Sequence, residues 1–389
     1  MTKRFSRMIQ AGMLPFLGLW WGCTELGDFD PQASGFGGGA SSSSSAASGA
    51  GGGGCGVLET TCSGACANLD SDPMHCGVCG HSCQGGVCLA STCQPLVLAQ
   101  TPTIYDTALD ATSIYWVTNE GSVNKVSIDG GDPVPIYVGA NDFYLITVDE
   151  TSIYLVYRDI DEIVKMPIGG GSLTQMDPGP GGVRVLRVDE THMYWRNDDS
   201  DTVNKMPKGG GNRTVLATAQ MPQGWGSAAM ALHGSTVYFT EGGGNTDFPD
   251  GLLKKVSISG GNPETLATEQ AFPFHVTALG PTLFWATANA GGVVNTMPLG
   301  GGEPGIAFAG LGVGVGIVDM AIDASGIYWT LDEGNNHGRV VKVPLEGGEA
   351  VTLASLLHNP TNIELDATSV YWTDYDGVNA VSRVMKLAK

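Results

Sequence analysis

At 389 residues the chain has room for two or three average domains. Only 15% of it is charged and 58 residues are Gly, a mixture that suits short strands and tight turns better than Lys- and Glu-rich helices. A formal charge of −20 excludes electrostatic binding to nucleic acid or to anionic lipid.

The first 22 residues read as an export signal: Lys3, Arg4 and Arg7 precede an apolar run from Met8 to Trp21. That run is too short to span a bilayer. Gly22 and Cys23 then resemble the cleavage and acylation pair of a bacterial lipoprotein signal, although Trp20 and Trp21 depart from its usual Leu and small residue. The resemblance implies a lipid on Cys23 and an outer-membrane or cell-surface location; plain secretion is the other reading. Cleavage would leave 16 basic against 39 acidic residues, a net −23, so any membrane contact would come from acyl chains alone. Residues 23–54, with their Gly, Ser and Ala runs, form a flexible tether reaching about 30 Å.

Residues 55–93 hold Cys55, Cys62, Cys66, Cys76, Cys79, Cys83, Cys88 and Cys93 among few large apolar side chains. An even set in an exported segment predicts four disulfides, each adding about 2–4 kcal/mol by restricting the unfolded chain. Zinc is the competing reading, because Cys76 and Cys79 have ligand spacing with His75 and His81 beside them. Sequence leaves the pairing open. The run from Asp70 to Cys83 resembles small Cys-rich modules of exported myxobacterial proteins.

From residue 94 to 389 one unit recurs seven times, anchored at Tyr115–Trp116, Tyr154–Leu155, Tyr194–Trp195, Tyr238–Phe239, Phe284–Trp285, Tyr328–Trp329 and Tyr371–Trp372. Spacings of 39 to 46 residues are those of propeller blades. Each unit reads as four strands, A to D. Strand A ends at an Asp (Asp110, Asp149, Asp189, Asp323, Asp366) whose carboxylate can accept a backbone N–H two residues on; His233 and Gly280 take that place in units four and five. Strand B carries the aromatic pair, one ring on each face of the sheet, so that each ring meets a different neighbouring blade. Gly-Gly at 130, 169, 209, 260, 300 and 347 supplies the C–D hairpin. Pro167, Pro207, Pro298 and Pro344 end strand C or mark a bulge there. The seventh unit stops at Lys389 without a strand D, while Pro95 to Gln100 looks like a lone strand D. The fold class predicted is therefore all-β: a seven-bladed β-propeller closed by an N-terminal strand and preceded by a disulfide-rich module.

Tyr371-Trp372-Thr373-Asp374 spells the signature of the YWTD propellers of low-density-lipoprotein receptors, and the chain resembles these and bacterial propeller-repeat proteins. The motif implies packing between blades and no activity. Tyr238-Phe239-Thr240-Glu241 is more faintly similar to virginiamycin B lyase, without a matching set of catalytic and metal-binding residues.

No phosphate loop, HExxH, nucleophile elbow or EF-hand loop occurs, so no catalytic residue, metal or cofactor is assigned. Binding is expected at the face built by D–A and B–C loops. The candidates there are Trp225, flanked by Gly224 and Gly226, and the D–A residues Tyr105, Phe143, Tyr144, Phe272, Phe274, His275 and His358, which otherwise cap the core. Acidic B–C loops (Asp198, Asp199, Asp201; Asp247, Asp250; Asp332, Glu333; Asp374, Asp376) could hold Ca²⁺ or simply be solvated. The function expected is a surface or secreted scaffold that binds protein or saccharide. The alternative is an exported lyase or hydrolase with a His and two carboxylates, or a metal set, at the channel mouth.

Overall fold

The computed structural model describes residues 55–389, except 141, 180, 198, 219–228, 243–250, 288–291, 311–315 and 335. The export signal, Cys23, the tether and Trp225 lie outside the described residues. Seven four-stranded antiparallel sheets follow one another along the chain, and no described residue is helical. In blade 1 the strands are Ile104–Leu109, Ser113–Thr118, Ser122–Ser127 and Val134–Val138, in spatial order A to D. Blade 7 takes Pro360–Leu365, Ser369–Asp376 and Val381–Ala388, then Leu96–Thr101 as its fourth strand. That last pairing runs Ser382 opposite Thr101, Val384 opposite Ala99 and Lys386 opposite Leu96. The ring is closed as expected.

Seven buried clusters hold the ring together, one at each seam, because the two rings of each strand B face opposite ways. Tyr154 packs with Trp195, Tyr194 with Phe239, Tyr238 with Trp285, Phe284 with Trp329, Tyr328 with Trp372, and Tyr371 with Trp116. At the first seam Tyr115 meets Leu155. There is thus no common core; the apolar stabilisation is divided among the interfaces between neighbours.

Polar latches back these clusters. Asp149 Oδ1 accepts the N–H groups of Thr151 and Ser152, as a turn-forming Asp should, and its Oδ2 accepts the Tyr154 hydroxyl at 3.0 Å. Burial and the Asp110 carboxylate push the matching Tyr115 phenol up to about 12. On the strand-C side a lysine sits directly opposite the tyrosine and reaches the next blade. Lys165 Nζ donates to the Lys208 carbonyl, Lys205 to Ile258, Lys255 to Gly300 and Lys386 to Ile128. In the C–D hairpins of the triple-Gly copies, the second and third glycines carry the positive φ, as at Gly170 and Gly171. A Cβ on Gly170 would lie 2.6 Å from the Ile136 carbonyl oxygen. Pro167, Pro207 and Pro298 are the last residues of their strands and Pro344 follows its own, so they end strand C; the C–D bulges lie further back.

The N-terminal module is two short hairpins, Thr60–Cys62 with Ala65–Ala67 and Cys88–Leu89 with Thr92–Cys93. Four bridges join Cys55 to Cys66, Cys62 to Cys79, Cys76 to Cys88 and Cys83 to Cys93. The zinc reading falls, since none of the eight sulfurs is left as a thiolate. The flanking histidines are also engaged: His75 Nδ1 accepts the Gly80 N–H, and His81 Nε2 lies 3.1 Å from the Lys389 carbonyl. The second pair of bridges belongs to the same buried cluster as Trp372, Met385 and Leu387, so the module packs onto blade 7 beside the closure.

Candidate functional site

Seven inner strands surround a central channel of about 1070 Å³. Among the described residues, each inner strand except that of blade 4 carries a bulge near its start, where the ladder skips a residue such as Tyr105, Tyr144, Arg184, His275 or Val318. The skipped residue breaks the alternation of sides. It also explains a difference from the sequence reading. Tyr105, Tyr144, Phe274 and His275 read as D–A loop residues, yet they lie inside inner strands, which begin earlier than the apolar pattern indicates.

The channel wall is charged, and sequence reasoning found His275 in it but missed the other charged residues. Asp106, Arg184, Arg187, His275, Asp319 and Glu364 all line it, contributed by blades 1, 3, 5, 6 and 7. Asp106 and Asp319 hold equivalent places, ten residues before the Trp of their copies. Each carboxylate accepts its following N–H and reaches across to the next inner strand: Asp106 to Ile146 at 2.8 Å, Asp319 to Ile363 at 2.8 Å. Arg187 and Glu364 stand eight residues before their second aromatics, at one level of the channel. Stacking the seven copies on their aromatic pairs would have exposed both charged columns.

Electrostatics separates the three acids. Burial pushes Asp106 up to about 7, only partly offset by the N–H of Ile146 and the charge of Arg187. Burial likewise pushes Glu364 up to about 8, helped by the charges of Asp319 and Asp106. Burial acts on Asp319 too, but the His275 ring, with Nε2 2.8 Å from Oδ1, together with the N–H groups of Ile363 and Met320, outweighs it and holds that carboxyl below its ordinary range. These groups are enclosed by protein yet not sealed from solvent: the Asp319 side chain is 22% exposed. The channel can therefore hold one ionised carboxylate, Asp319, beside two carboxylic acids that lose their protons around neutral pH.

The remaining sequence candidates separate. Tyr105 lines the channel under the Arg158 guanidinium, 4.7 Å from its ring centre, and Phe274 lines it edge-on to His275. The Tyr144 hydroxyl is taken up by Asp161 and the Val183 carbonyl, and Phe143 is fully buried against Tyr157. Phe272 precedes its strand at φ 47°. His358 stands at the blade 7 rim, 3.4 Å from Asp374 and 3.7 Å from Asp376. Those two carboxylates also meet Arg383, and Glu333 pairs with Arg339, so each of these acidic loops already holds one arginine of its own chain. Asp198, Asp247 and Asp250 lie outside the described residues. Among the described residues, the one trio of His, Cys, Asp or Glu ligand atoms within 4.8 Å is Cys76, Cys83 and Cys93, all in bridges.

No protein-family model and no curated protein matches this chain. Solved structures do, at the level of fold. YCF48 from Cyanidioschyzon merolae is 12% identical with a TM-score of 0.57, over 75% of this chain and 98% of that one. YCF48 bound to D1 peptide is 13% identical with a TM-score of 0.54, over 76% and 94%. The computationally designed Ika8 protein is 13% identical with a TM-score of 0.55, over 75% and 98%. At such identities the likeness is one of β-propeller architecture.

Proposed function

We propose that the chain is an exported, lipid-tethered binding module that takes an extended segment of a partner protein into its channel mouth, on the D–A and B–C face. The observation that carries this reading is the channel wall itself. Tyr105, Phe274 and Tyr375 supply apolar and stacking surface, while Arg184 and Arg187 in blade 3 and the ionised Asp319 in blade 6 give the wall both signs of charge. Separated charges of both signs suit a polypeptide, which carries both, better than an uncharged saccharide. A fold neighbour, YCF48, is recorded with a peptide, which is compatible with such a mode. The lyase or hydrolase alternative asks for a His with two carboxylates or a metal set; the channel wall offers the pair His275–Asp319, and at the rim His358 does meet Asp374 and Asp376, but Arg383 is paired with both of those carboxylates.

A photo-crosslinking residue at Tyr105 should capture a protease-sensitive partner on the cell envelope, and the same residue at Asp129, in the opposite-face turn, should not. Equal capture from both positions, or capture only of protease-resistant saccharide, would overturn the reading. Anchoring has its own check: Cys23→Ala should move the protein from the membrane pellet to the soluble fraction. An unchanged distribution removes the lipid from the proposal.

A further inference from the structure

One seam differs from the other six. In blades 1, 2, 3, 4, 6 and 7 a tyrosine of strand B stands opposite a lysine of strand C: Tyr115 and Lys125, Tyr154 and Lys165, Tyr194 and Lys205, Tyr238 and Lys255, Tyr328 and Lys342, Tyr371 and Lys386. In blade 5 the pair is Phe284 and Thr296, and Gly280 replaces the turn Asp. That seam therefore loses the phenol, the carboxylate and the long cationic side chain together. At the same seam lies a pocket of about 310 Å³, lined by Leu279, Phe284, Thr296, Ile306, Leu345 and Glu346.

The chain itself shows what such a place accepts. At the intact seams the lysine stem lies along the tyrosine ring, with Nζ 5.1 to 5.9 Å from its centre where the two meet face-on. Its ammonium then donates to a carbonyl just beyond strand C of the next blade, as Lys165 does to Lys208 and Lys386 to Ile128. Repeat equivalence makes the corresponding carbonyl that of Leu345, the first residue after Pro344, and Leu345 lines the pocket. Phe284 keeps an aromatic face for a cation, Ile306 and Leu279 keep an apolar sleeve for a methylene stem, and Glu346 adds a carboxylate at the rim.

We infer that the pocket between blades 5 and 6 is a docking site for a lysine side chain presented by a partner protein, inserted where the other blades insert their own. The site lies by the A–B and C–D turns, on the face opposite the proposed channel mouth, and stands independently of that proposal.

The test uses the full chain and three probes: N-acetyl-lysine methylamide, n-butylammonium and n-butanol. Methyl NMR signals of Thr296, Ala307 and Leu345 should shift with both ammonium probes, and about ten-fold less readily with the alcohol, the worth of one charge-assisted contact. Thr296→Lys should fill the pocket from within and abolish the shifts. Thr296→Val keeps the shape without the cation and should leave them intact, which separates occupancy from misfolding. Glu346→Gln should weaken the ammonium probes several-fold. Equal response to the alcohol, undiminished binding by the Thr296→Lys protein, or no response to any probe overturns the site. Binding of n-butylammonium without the lysine derivative overturns a protein lysine as its occupant.

Discussion

A chain ending at residue 380 should not form a monomeric propeller. Removing Val381–Ala388 takes away the strand that joins blade 7 to Leu96–Thr101, and with it the one ladder among the described residues between the two ends of the ring. Val384, Met385 and Leu387 are all buried there. At about 1.5–3 kcal/mol for each buried apolar side chain, their loss approaches the 5–15 kcal/mol by which a folded protein is usually stable. The strand Leu96–Thr101 would then have an open edge, and association through it is the expected fate. Gel filtration and urea unfolding decide the matter. A monomeric truncated protein with an undiminished unfolding transition would contradict the closure argument. Trp372→Ala serves as a measure of scale: it hollows one seam and should cost about 3–5 kcal/mol while the ring stays closed.

Stability should be greatest near pH 5 and fall as pH rises toward 8, the reverse of the usual behaviour of carboxylates. Asp106 and Glu364 are raised to about 7 and about 8, so the folded chain keeps protons that the unfolded chain releases above its ordinary carboxylate range. Wherever the folded state binds more protons, stability declines with pH. The decline starts as the unfolded carboxyls ionise and ends once the folded ones have done so. Asp319 works in the opposite direction, but its contribution is lost only as pH falls through its depressed folded value, outside this window. Each tenfold gain in proton affinity on folding is worth about 1.4 kcal/mol, and channel water reduces the total to about 2–4 kcal/mol, or a fall of about 5–10 °C in melting temperature. Glu364→Gln carries no such proton. It should melt close to the native chain at pH 5 and clearly above it at pH 8. Parallel melting curves for the two proteins across that range would remove the channel acids from the account.

The fold was almost wholly legible because its determinants are local and repeated. An aromatic pair with one ring per face can bury both rings only between two neighbours, so Tyr115–Trp116 and its six copies imply a stack, and an orphan strand after Cys93 implies that the stack closes. The channel was not legible for a physical reason. Asp106 or Glu364 alone reads as an ordinary exposed residue of a short strand, and only closure brings residues of blades 1, 3, 5, 6 and 7 to face one another. The bulges hid more: a skipped residue at Tyr105 or His275 shortens the visible alternation, so that the first residues of a strand resemble loop. The acidic loops misled in the other direction, since nothing local reveals that Arg383 and His358 stand over Asp374 and Asp376.

Thr101 and Ser382 are neighbours across one ladder although 281 positions separate them. A ribosome therefore delivers the two parts of blade 7 before and after the six other blades. The bridged module and six complete blades can settle while the early strand waits without a mate, and nascent chains halted before residue 382 would present that strand to chaperones or to one another. Afterwards the ring offers no loose strand from which to unzip, because its first strand is sewn to its last.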